Sequence, residues 1–327
     1  MALVFGVLVG GMLQLGCQVP SLVAKGFRFT APRFSHAAVG KVARLLVPRA
    51  MGSAIYQINV FVDSILASFE KIVGAGGQSA LYYSNRLFQL PLAIFGIALA
   101  QAVLPTFSTQ IVRRDIAAFK DTLAVTLKSL ILLALPASVG LLMLSRPIVR
   151  IIFEHGRFNS YSTSITSNAL FFYALGLLSC CFIKIFVNAF YAMQDTRTPV
   201  RTMALSVAVN IVLSLCFMRR LGVGGLALAS SLSASLNMAL LFRALRKKIG
   251  PFGGREIARC FVKALFCSLL MAVTVVVYDR AVLETHATTG RMAQLALLFA
   301  GIAAGGAVYL GSAWVLGVRE LRRFFGR

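Results

Sequence analysis

Acidic side chains are scarce in this sequence. Only 10 of its 327 residues are Asp or Glu, against 33 Lys and Arg, and most of these acids fall between its apolar runs. An enzyme needs acids, bases or nucleophiles that converge on one point, and no GxSxG, HExxH or P-loop pattern occurs. The sequence therefore argues against an enzyme and, for this chain by itself, against an ATP-driven pump.

Paired cysteines and clustered histidines are also missing. The six cysteines lie within or at the ends of apolar runs, where they behave as small hydrophobic residues. Their spacing indicates neither a zinc site nor a disulfide, and the three histidines are scattered over connecting segments. We therefore predict no resident cofactor, apart from Na⁺ or H⁺ as a coupling ion.

Apolar residues are present in excess. They make up 58% of the chain, the mean hydropathy is +0.83, and only 13% of residues are charged. They form runs of roughly 20 residues, the length of a membrane-spanning helix. The sequence thus predicts an all-α polytopic membrane protein with about nine spans, over residues 2–23, 42–66, 81–106, 121–144, 165–193, 200–218, 222–244, 258–278 and 293–317.

The net charge of +23 has a membrane explanation. Basic residues cluster between apolar runs, and no aromatic-rich basic module accompanies them, so we predict no nucleic-acid partner. Most of them fall in the odd-numbered connections and the tail after residue 318, which predicts a cytoplasmic C-terminus facing anionic membrane lipids. The first residue is then outside without a signal peptide, which leads us to expect further spans upstream.

The third predicted span carries a polar face. Ser79, Tyr82, Arg86 and Gln89 recur at three- and four-residue steps and therefore share one side of a helix. A guanidinium near a bilayer centre costs several kcal/mol or more, so Arg86 is expected to face water, an anion or a partner helix. The alternative is an arginine near a helix end that snorkels to the interface. Pro91 should kink the same helix.

The second span has a polar stripe in which Arg49, Asn59 and Asp63 lie close in angle. Such a stripe predicts the wall of a wet cavity, where Asp63 could bind a cation or a proton. The alternative is a solvated Asp near the outer end of its span. Asn210, Ser214 and Ser230 could supply neutral oxygens to a cation on Asp63, although rows of small residues more often mark helix packing.

Five motifs can be compared with known families: GGMLQL at residues 10–15, YQIN at 56–59, YYSNRLFQLP at 82–91, FYAMQDTRTP at 190–199 and GGLALASS at 224–231. Together and in this order they resemble the MurJ (MviN) family of bacterial lipid II flippases. The resemblance implies a fourteen-helix, two-lobed fold of the multidrug/oligosaccharidyl-lipid/polysaccharide exporter superfamily, of which this chain would hold the sixth to fourteenth helices. The implied parts are the last helix of a truncated first lobe (1–23), a basic cytoplasmic linker (24–41), a six-helix second lobe (42–244), a basic cytoplasmic loop (245–257) and two appended helices with a basic tail (258–327).

The resemblance also implies a function. Family members move lipid II from the inner to the outer leaflet of the bacterial inner membrane by alternating access. Arg86 matches the arginine of their Tyr-Tyr-Ala-Asp-Arg motif and is implied to contact the diphosphate of lipid II, beside Asn85 and Gln89, which are acidic in some members. Partners would be lipid II, membrane lipids and an upstream polypeptide with the missing helices. Two alternatives stay open: another exporter of the superfamily and an inactive truncated fragment.

Overall fold

The computed structural model describes residues 2–26, 40, 54–55, 57–283 and 290–317. Throughout these residues the regular structure is helical, and none of them forms a strand. The chain divides into two compact units, Met1–Val47 and Pro48–Arg327. The described part of the first unit is one apolar helix, α1 (Ala2–Ala24), which is exposed along its length.

The second unit contains the remaining helices. Short connections join them in chain order. The helices are α2 (Gln57–Ala67), α3 (Glu70–Val73), α4 (Gly77–Pro91), α5 (Ala98–Val112), α6 (Ile116–Met143), α7 (Ser145–Phe153), α8 (Ser160–Leu175), α9 (Leu177–Ala192), α10 (Arg197–Leu221), α11 (Val223–Ile249), α12 (Gly254–Tyr278) and α13 (Arg291–Val315), with π-helical segments at Leu92–Ile97 and Asp279–Leu283.

Eight of the nine predicted spans have a counterpart in the described residues. Seven helices are long and apolar enough to cross a membrane, and α8 with α9 meets the same criteria when the bent pair is taken together. The predicted span at 42–66 is represented by the short apolar helix α2, and most of its other residues lie outside the described part. The multi-span class is confirmed, whereas the number nine and the lobe boundaries stay predictions.

The π-helical segment Leu92–Ile97 follows Pro91 directly and joins α4 to α5. Pro91 has no backbone N–H to donate, and a wider turn absorbs the disturbance without ending the helix. Gly77–Val112 is consequently one span of 36 residues. Gly96 lets α9 approach this turn, because a Cβ there would lie 2.9 Å from the Cys181 sulfur.

The predicted span 165–193 is broken into two helices, which corrects the prediction of one continuous helix. α8 and α9 meet at Gly176 with a bend of 46°. A Cβ on Gly176 would lie 2.9 Å from the Cα of Ser231 on α11, so only glycine admits this approach. The break turns the Gly176 N–H to the Tyr173 carbonyl, and the Ser231 hydroxyl donates to the Phe172 carbonyl at 2.7 Å. Ser231 thereby satisfies a backbone acceptor that lipid could not satisfy.

Side chains also fix the helix ends. The Asp115 carboxylate accepts from the Ala118 N–H at 2.9 Å and caps α6. In the connection before α10, Asp195 accepts from the Thr198 N–H at 3.0 Å and from Lys248 at 2.9 Å. Partial burial acts to raise the pKa of Asp195, but the bonds from Lys248 and Thr198 outweigh it and hold the pKa below its ordinary value. Asp115 and Asp195 therefore act as a helix cap and as a partner in an ion pair in the connections.

Two apolar clusters form the core. The larger one contains residues from each of the helices α2 to α11, and fully buried phenylalanines such as Phe107, Phe119 and Phe186 lie within it. The smaller one packs α12 and α13 against α6 and α7, and the Tyr309 hydroxyl donates to the Leu132 carbonyl at 2.8 Å. This packing leaves the polar faces of α2, α4, α10 and α11 to line a cavity.

Candidate functional site

A cavity of about 280 Å³ lies in the second unit, with polar side chains set in a mostly apolar lining. It is lined from α2, α4, α8, α9, α10 and α11, and Asp63 and Lys184 are the charged residues among those of its lining that the structure describes. Of the predicted site residues, those that line it are Asn59, Asp63, Asn85, Gln89, Asn210 and Ser230. The structure thus brings together six residues that the sequence had placed on four separate helices.

Asp63 forms the acidic wall. One carboxylate oxygen accepts from the Asn59 amide at 3.3 Å, one turn earlier on α2, and from the Ser230 hydroxyl of α11 at 3.5 Å. The stripe predicted on the second span therefore does face the cavity, as far as its described residues show. Arg49, the basic residue assigned to the same stripe, lies outside the described residues.

The Asn210 side chain links α10 to α11 by hydrogen bonds on one wall of the cavity. It is 1% exposed, and its amide nitrogen donates to the Ser230 hydroxyl at 3.1 Å and to the Ser233 hydroxyl at 3.3 Å. Its amide oxygen accepts from the Ser214 hydroxyl at 3.0 Å. Ser214 does not line the cavity but lies behind Asn210 and orients it. The predicted cation ligands therefore form one network, in which Ser214 acts through Asn210.

Three buried oxygens at the cavity have no hydrogen-bond donor within the described part of the chain. They belong to Asn59, Asp63 and Asn237. Leaving a buried acceptor unsatisfied costs about 1–3 kcal/mol, so these oxygens are suited to water or a cation. Carboxylate and amide oxygens are hard ligands, but a single carboxylate fits a monovalent cation or a proton better than a tightly held divalent metal. Among the described residues, no cluster of three or more His, Cys, Asp or Glu could hold a metal ion.

Hydrogen-bond donors also line the cavity. Asn85 and Gln89 lie one turn apart on α4, and the Gln89 amide nitrogen donates to the Asn85 oxygen at 2.7 Å. Lys184 of α9 lines the same cavity. α9 is held against α5 because the Asn188 amide donates to the Ala100 carbonyl at 2.7 Å.

Arg86 lies on a different face of α4. Its guanidinium is exposed, donates to the Tyr82 hydroxyl at 3.1 Å and lies 5.0 Å from the centroid of the Tyr82 ring. Ser79 is also exposed, and none of these three residues lines the cavity. The predicted polar face thus divides into an exposed Tyr82–Arg86 pair and a cavity-facing Asn85–Gln89 pair.

Sequence reasoning did not single out Ser233 and Asn237, which also line the cavity. Ser230, Ser233 and Asn237 follow one another at intervals of three and four residues on α11. That spacing is a helical row of polar residues in an apolar span, the same signal that identified the stripe on the second span.

Comparison with known proteins points to one family. Residues 1–297 match a family model described as lipid II flippase MurJ. The chain is 35% identical over 320 residues to the probable lipid II flippase MurJ of Vibrio cholerae, a match covering 97% of this chain and 60% of that protein. A protein of the same name from Haemophilus influenzae is 34% identical over 286 residues, covering 85% of this chain and 55% of its own. The chain therefore spans less than two thirds of these relatives.

Solved structures agree on the fold. A structure of the lipid II flippase MurJ in its inward closed conformation matches with a TM-score of 0.74 at 27% identity, over 96% of this chain and 61% of that one. A MOP superfamily transporter from Pyrococcus furiosus matches with a TM-score of 0.54 at 18% identity, over 84% of this chain and 64% of that one. The second match shows the fold alone.

Proposed function

We propose, from the premise that this chain belongs to the MurJ family of lipid II flippases, that it takes part in moving lipid II from the inner to the outer leaflet of the bacterial inner membrane. The observation that carries the proposal is the arrangement on α4, where the exposed Arg86 lies next in sequence to Asn85, which lines the same cavity as the Asp63 carboxylate. The family match favours this function over drug export. A transporter of this kind needs no catalytic residues, which agrees with the scarcity of acids.

Arg86 is the residue we assign to the diphosphate of lipid II. A guanidinium is permanently charged and offers donors in a planar fork, which matches phosphate oxygens. Tyr82 accepts one of its hydrogen bonds and packs its ring against the guanidinium, leaving other N–H groups directed to solvent. We expect the Tyr82 ring to hold Arg86 in place and the guanidinium to bind the head group.

Asp63 is the residue we assign to a coupling cation, with Asn59, Asn210 and Ser230 around it. The unpaired oxygens of Asp63 and Asn59 support this assignment, because a cation would satisfy both. Ser230 connects Asp63 to Asn210 through hydrogen bonds of 3.5 and 3.1 Å. A ligand bound at Asp63 would therefore be linked by hydrogen bonds to both α10 and α11. Na⁺ or H⁺ binding would then bias the alternating-access movement of the helices.

Lipid II translocation in proteoliposomes tests the Arg86 assignment. The chain is reconstituted together with an upstream polypeptide carrying five further spans, and Arg86→Ala is compared with Arg86→Lys and with Lys71→Ala. Lys71 is exposed on α3 and serves as the matched basic control. We expect transport to fall at least tenfold in Arg86→Ala with normal membrane insertion. Undiminished transport in that variant would refute the role of Arg86.

Sodium-dependent thermal stability tests the cation assignment. A ligand at about 100 times its Kd stabilises a folded protein by about 2.7 kcal/mol. We expect Na⁺ to stabilise the purified chain, and Asp63→Asn to abolish this effect. Asp121→Asn, which removes an exposed carboxylate on α6, is the control and should keep it. Equal Na⁺ stabilisation in Asp63→Asn and the unmodified chain would refute the assignment of Asp63 as a cation ligand.

A further inference from the structure

α7 is a short helix that lies along a membrane surface. It connects α6 to the bent pair of α8 and α9, and its 9 residues extend about 14 Å, less than half of the roughly 30 Å hydrocarbon core. A helix this short between two spans therefore lies on the bilayer and does not cross it. Tyr161 at the start of α8 is 49% exposed, and tyrosine is enriched at this level of membrane proteins.

The surface on which α7 lies is opposite the C-terminus. The bent pair, counted as one span, and the four helices α10 to α13 follow α7, so an odd number of spans separates it from the end of α13. With the cytoplasmic C-terminus that the charge pattern predicts, α7 is at the outer leaflet. α10 ends at the same surface, because the bent pair and α10 together cross the membrane twice.

The residues of α7 divide between a buried side and a basic side. Val149 and Ile151 are buried, and each belongs to one of the two apolar clusters. Arg146 is exposed and Arg150 is partly exposed. These two arginines are four residues apart, so they lie one above the other on the same side of the helix. α7 thus packs into the protein and presents a pair of guanidinium groups outward.

Neither guanidinium has a partner in the described part of the chain. No carboxylate of these residues lies within salt-bridge distance, and neither group donates a hydrogen bond to them. Glu154, the acid nearest in sequence, accepts from the Thr163 hydroxyl at 2.6 Å. Two like charges one turn apart repel each other, and Arg146 in the first turn also lies at the positive end of the helix dipole. An anion from outside the chain would offset both effects.

We infer that Arg146 and Arg150 bind the phosphate group of an anionic phospholipid in the outer leaflet. Side chains one turn apart are about 5–6 Å apart at Cβ, so both guanidinium groups can reach oxygens of one phosphate. A lipid fits better than free phosphate, because α7 lies at the level of the lipid head groups. Two positive charges favour a head group with net negative charge over a zwitterionic one. The inference does not rest on the proposed function.

The bound lipid would attach two functional parts of the chain to the bilayer surface. α8, the first half of the bent span, begins at Ser160, shortly after α7 ends at Phe153. The Phe153 ring packs on Tyr83 of α4 with their centroids 4.8 Å apart. A phospholipid on α7 is therefore linked both to the start of α8 and to α4, which carries Arg86.

Native mass spectrometry of the purified chain tests the lipid site. The chain is released from micelles that contain phosphatidylglycerol or phosphatidylcholine at equal concentration, and the fraction carrying bound lipid is measured. We expect phosphatidylglycerol to bind about tenfold more weakly when Arg146→Gln and Arg150→Gln are combined, and phosphatidylcholine binding to stay unchanged. Arg219→Gln combined with Arg220→Gln is the matched control, because these exposed arginines end α10 at the same surface and the charge change is equal.

Further variants keep the test decisive. Circular dichroism establishes that each variant is folded, and if the glutamine pair does not fold, Arg146→Gln alone should weaken binding about threefold. Arg146→Lys combined with Arg150→Lys keeps both charges and should retain most of the binding. Unchanged phosphatidylglycerol binding in the α7 variants would overturn the inference, as would an equal loss in the α10 control, which would indicate attraction to the overall charge.

Inorganic phosphate in excess separates the lipid from the free anion. We expect it to leave phosphatidylglycerol bound, because the lipid is also held by the bilayer-facing surroundings of α7. Complete displacement by inorganic phosphate would refute the assignment of a lipid. Lipid II transport is measured separately, and a change in transport without a change in phosphatidylglycerol binding bears on the proposed function and not on this site.

Discussion

Ser231→Ala should destabilise the chain through the break between α8 and α9. The Phe172 carbonyl has lost its helical donor, since the Gly176 N–H bonds to Tyr173, and the Ser231 hydroxyl at 2.7 Å replaces it. A buried carbonyl without a donor costs about 1–3 kcal/mol, whereas hydrogen bonds between membrane helices are worth about 0.6 and at most about 1.7 kcal/mol. Because the Ser231 hydroxyl takes the place of the Gly176 N–H at this carbonyl, we expect a loss near the top of the second range, about 1.5 kcal/mol.

Ser268→Ala is the matched control for this measurement. Ser268 is fully buried, and its hydroxyl donates to the Ala264 carbonyl at 2.7 Å within α12, where the backbone ladder already supplies a donor. Unfolding in mixed micelles with increasing dodecyl sulfate, followed by circular dichroism, gives both free energies. We expect Ser268→Ala to cost less than about 0.5 kcal/mol. A loss in Ser231→Ala equal to that of the control would show that the hydroxyl does not support the break.

Three further predictions concern the glycine at the same break, an ion pair in a connection and the exposed pair on α4. Gly176→Ala should cost about 1–3 kcal/mol in the same unfolding assay, because the new methyl group would meet the backbone of α11. The pKa of Asp195 is lowered in the folded chain, so its bond to Lys248 stabilises above the unfolded value of about 3.9 and is lost as the pH falls through the folded pKa. Asp195→Asn should therefore remove part of the acid dependence of the melting temperature. Tyr82→Phe keeps the ring under Arg86 and loses only the acceptor, so lipid II transport should fall less than in Tyr82→Ala.

Apolar runs predicted most of the fold. A helix that crosses a membrane must satisfy its own backbone, so hydropathy along the sequence determines where it lies. The break at Gly176 was not predicted, because a glycine inside an apolar run does not interrupt the pattern. The bend depends on the approach of Ser231 from α11, and such a contact between distant segments leaves no local signal in either one.

For the site, too, the sequence predicted part of the arrangement, and packing between helices determined the rest. Asp63, Asn210 and Ser230 were predicted to act together because each is an oxygen-bearing side chain in an apolar span. Helical spacing alone could not separate Arg86 from Gln89, which are three residues apart, yet only Gln89 reaches the cavity. The difference depends on how α4 is rotated against α8 and α11, and this rotation is set by packing.

The π-helical segment Leu92–Ile97 makes that rotation adjustable. A π turn holds about one residue more than an α turn, so its loss or gain rotates one half of the span relative to the other by about 100°. Asn85 and Gln89 lie before this segment, and Val103 and Phe107 of the core lie after it. Deleting a single residue here would remove the extra residue and leave the two halves in phase, whereas the same deletion elsewhere in the span would rotate one half by about 100° relative to the other. The π turn thus lets Asn85 and Gln89 on α4 face the cavity while Val103 and Phe107 on α5 face the core.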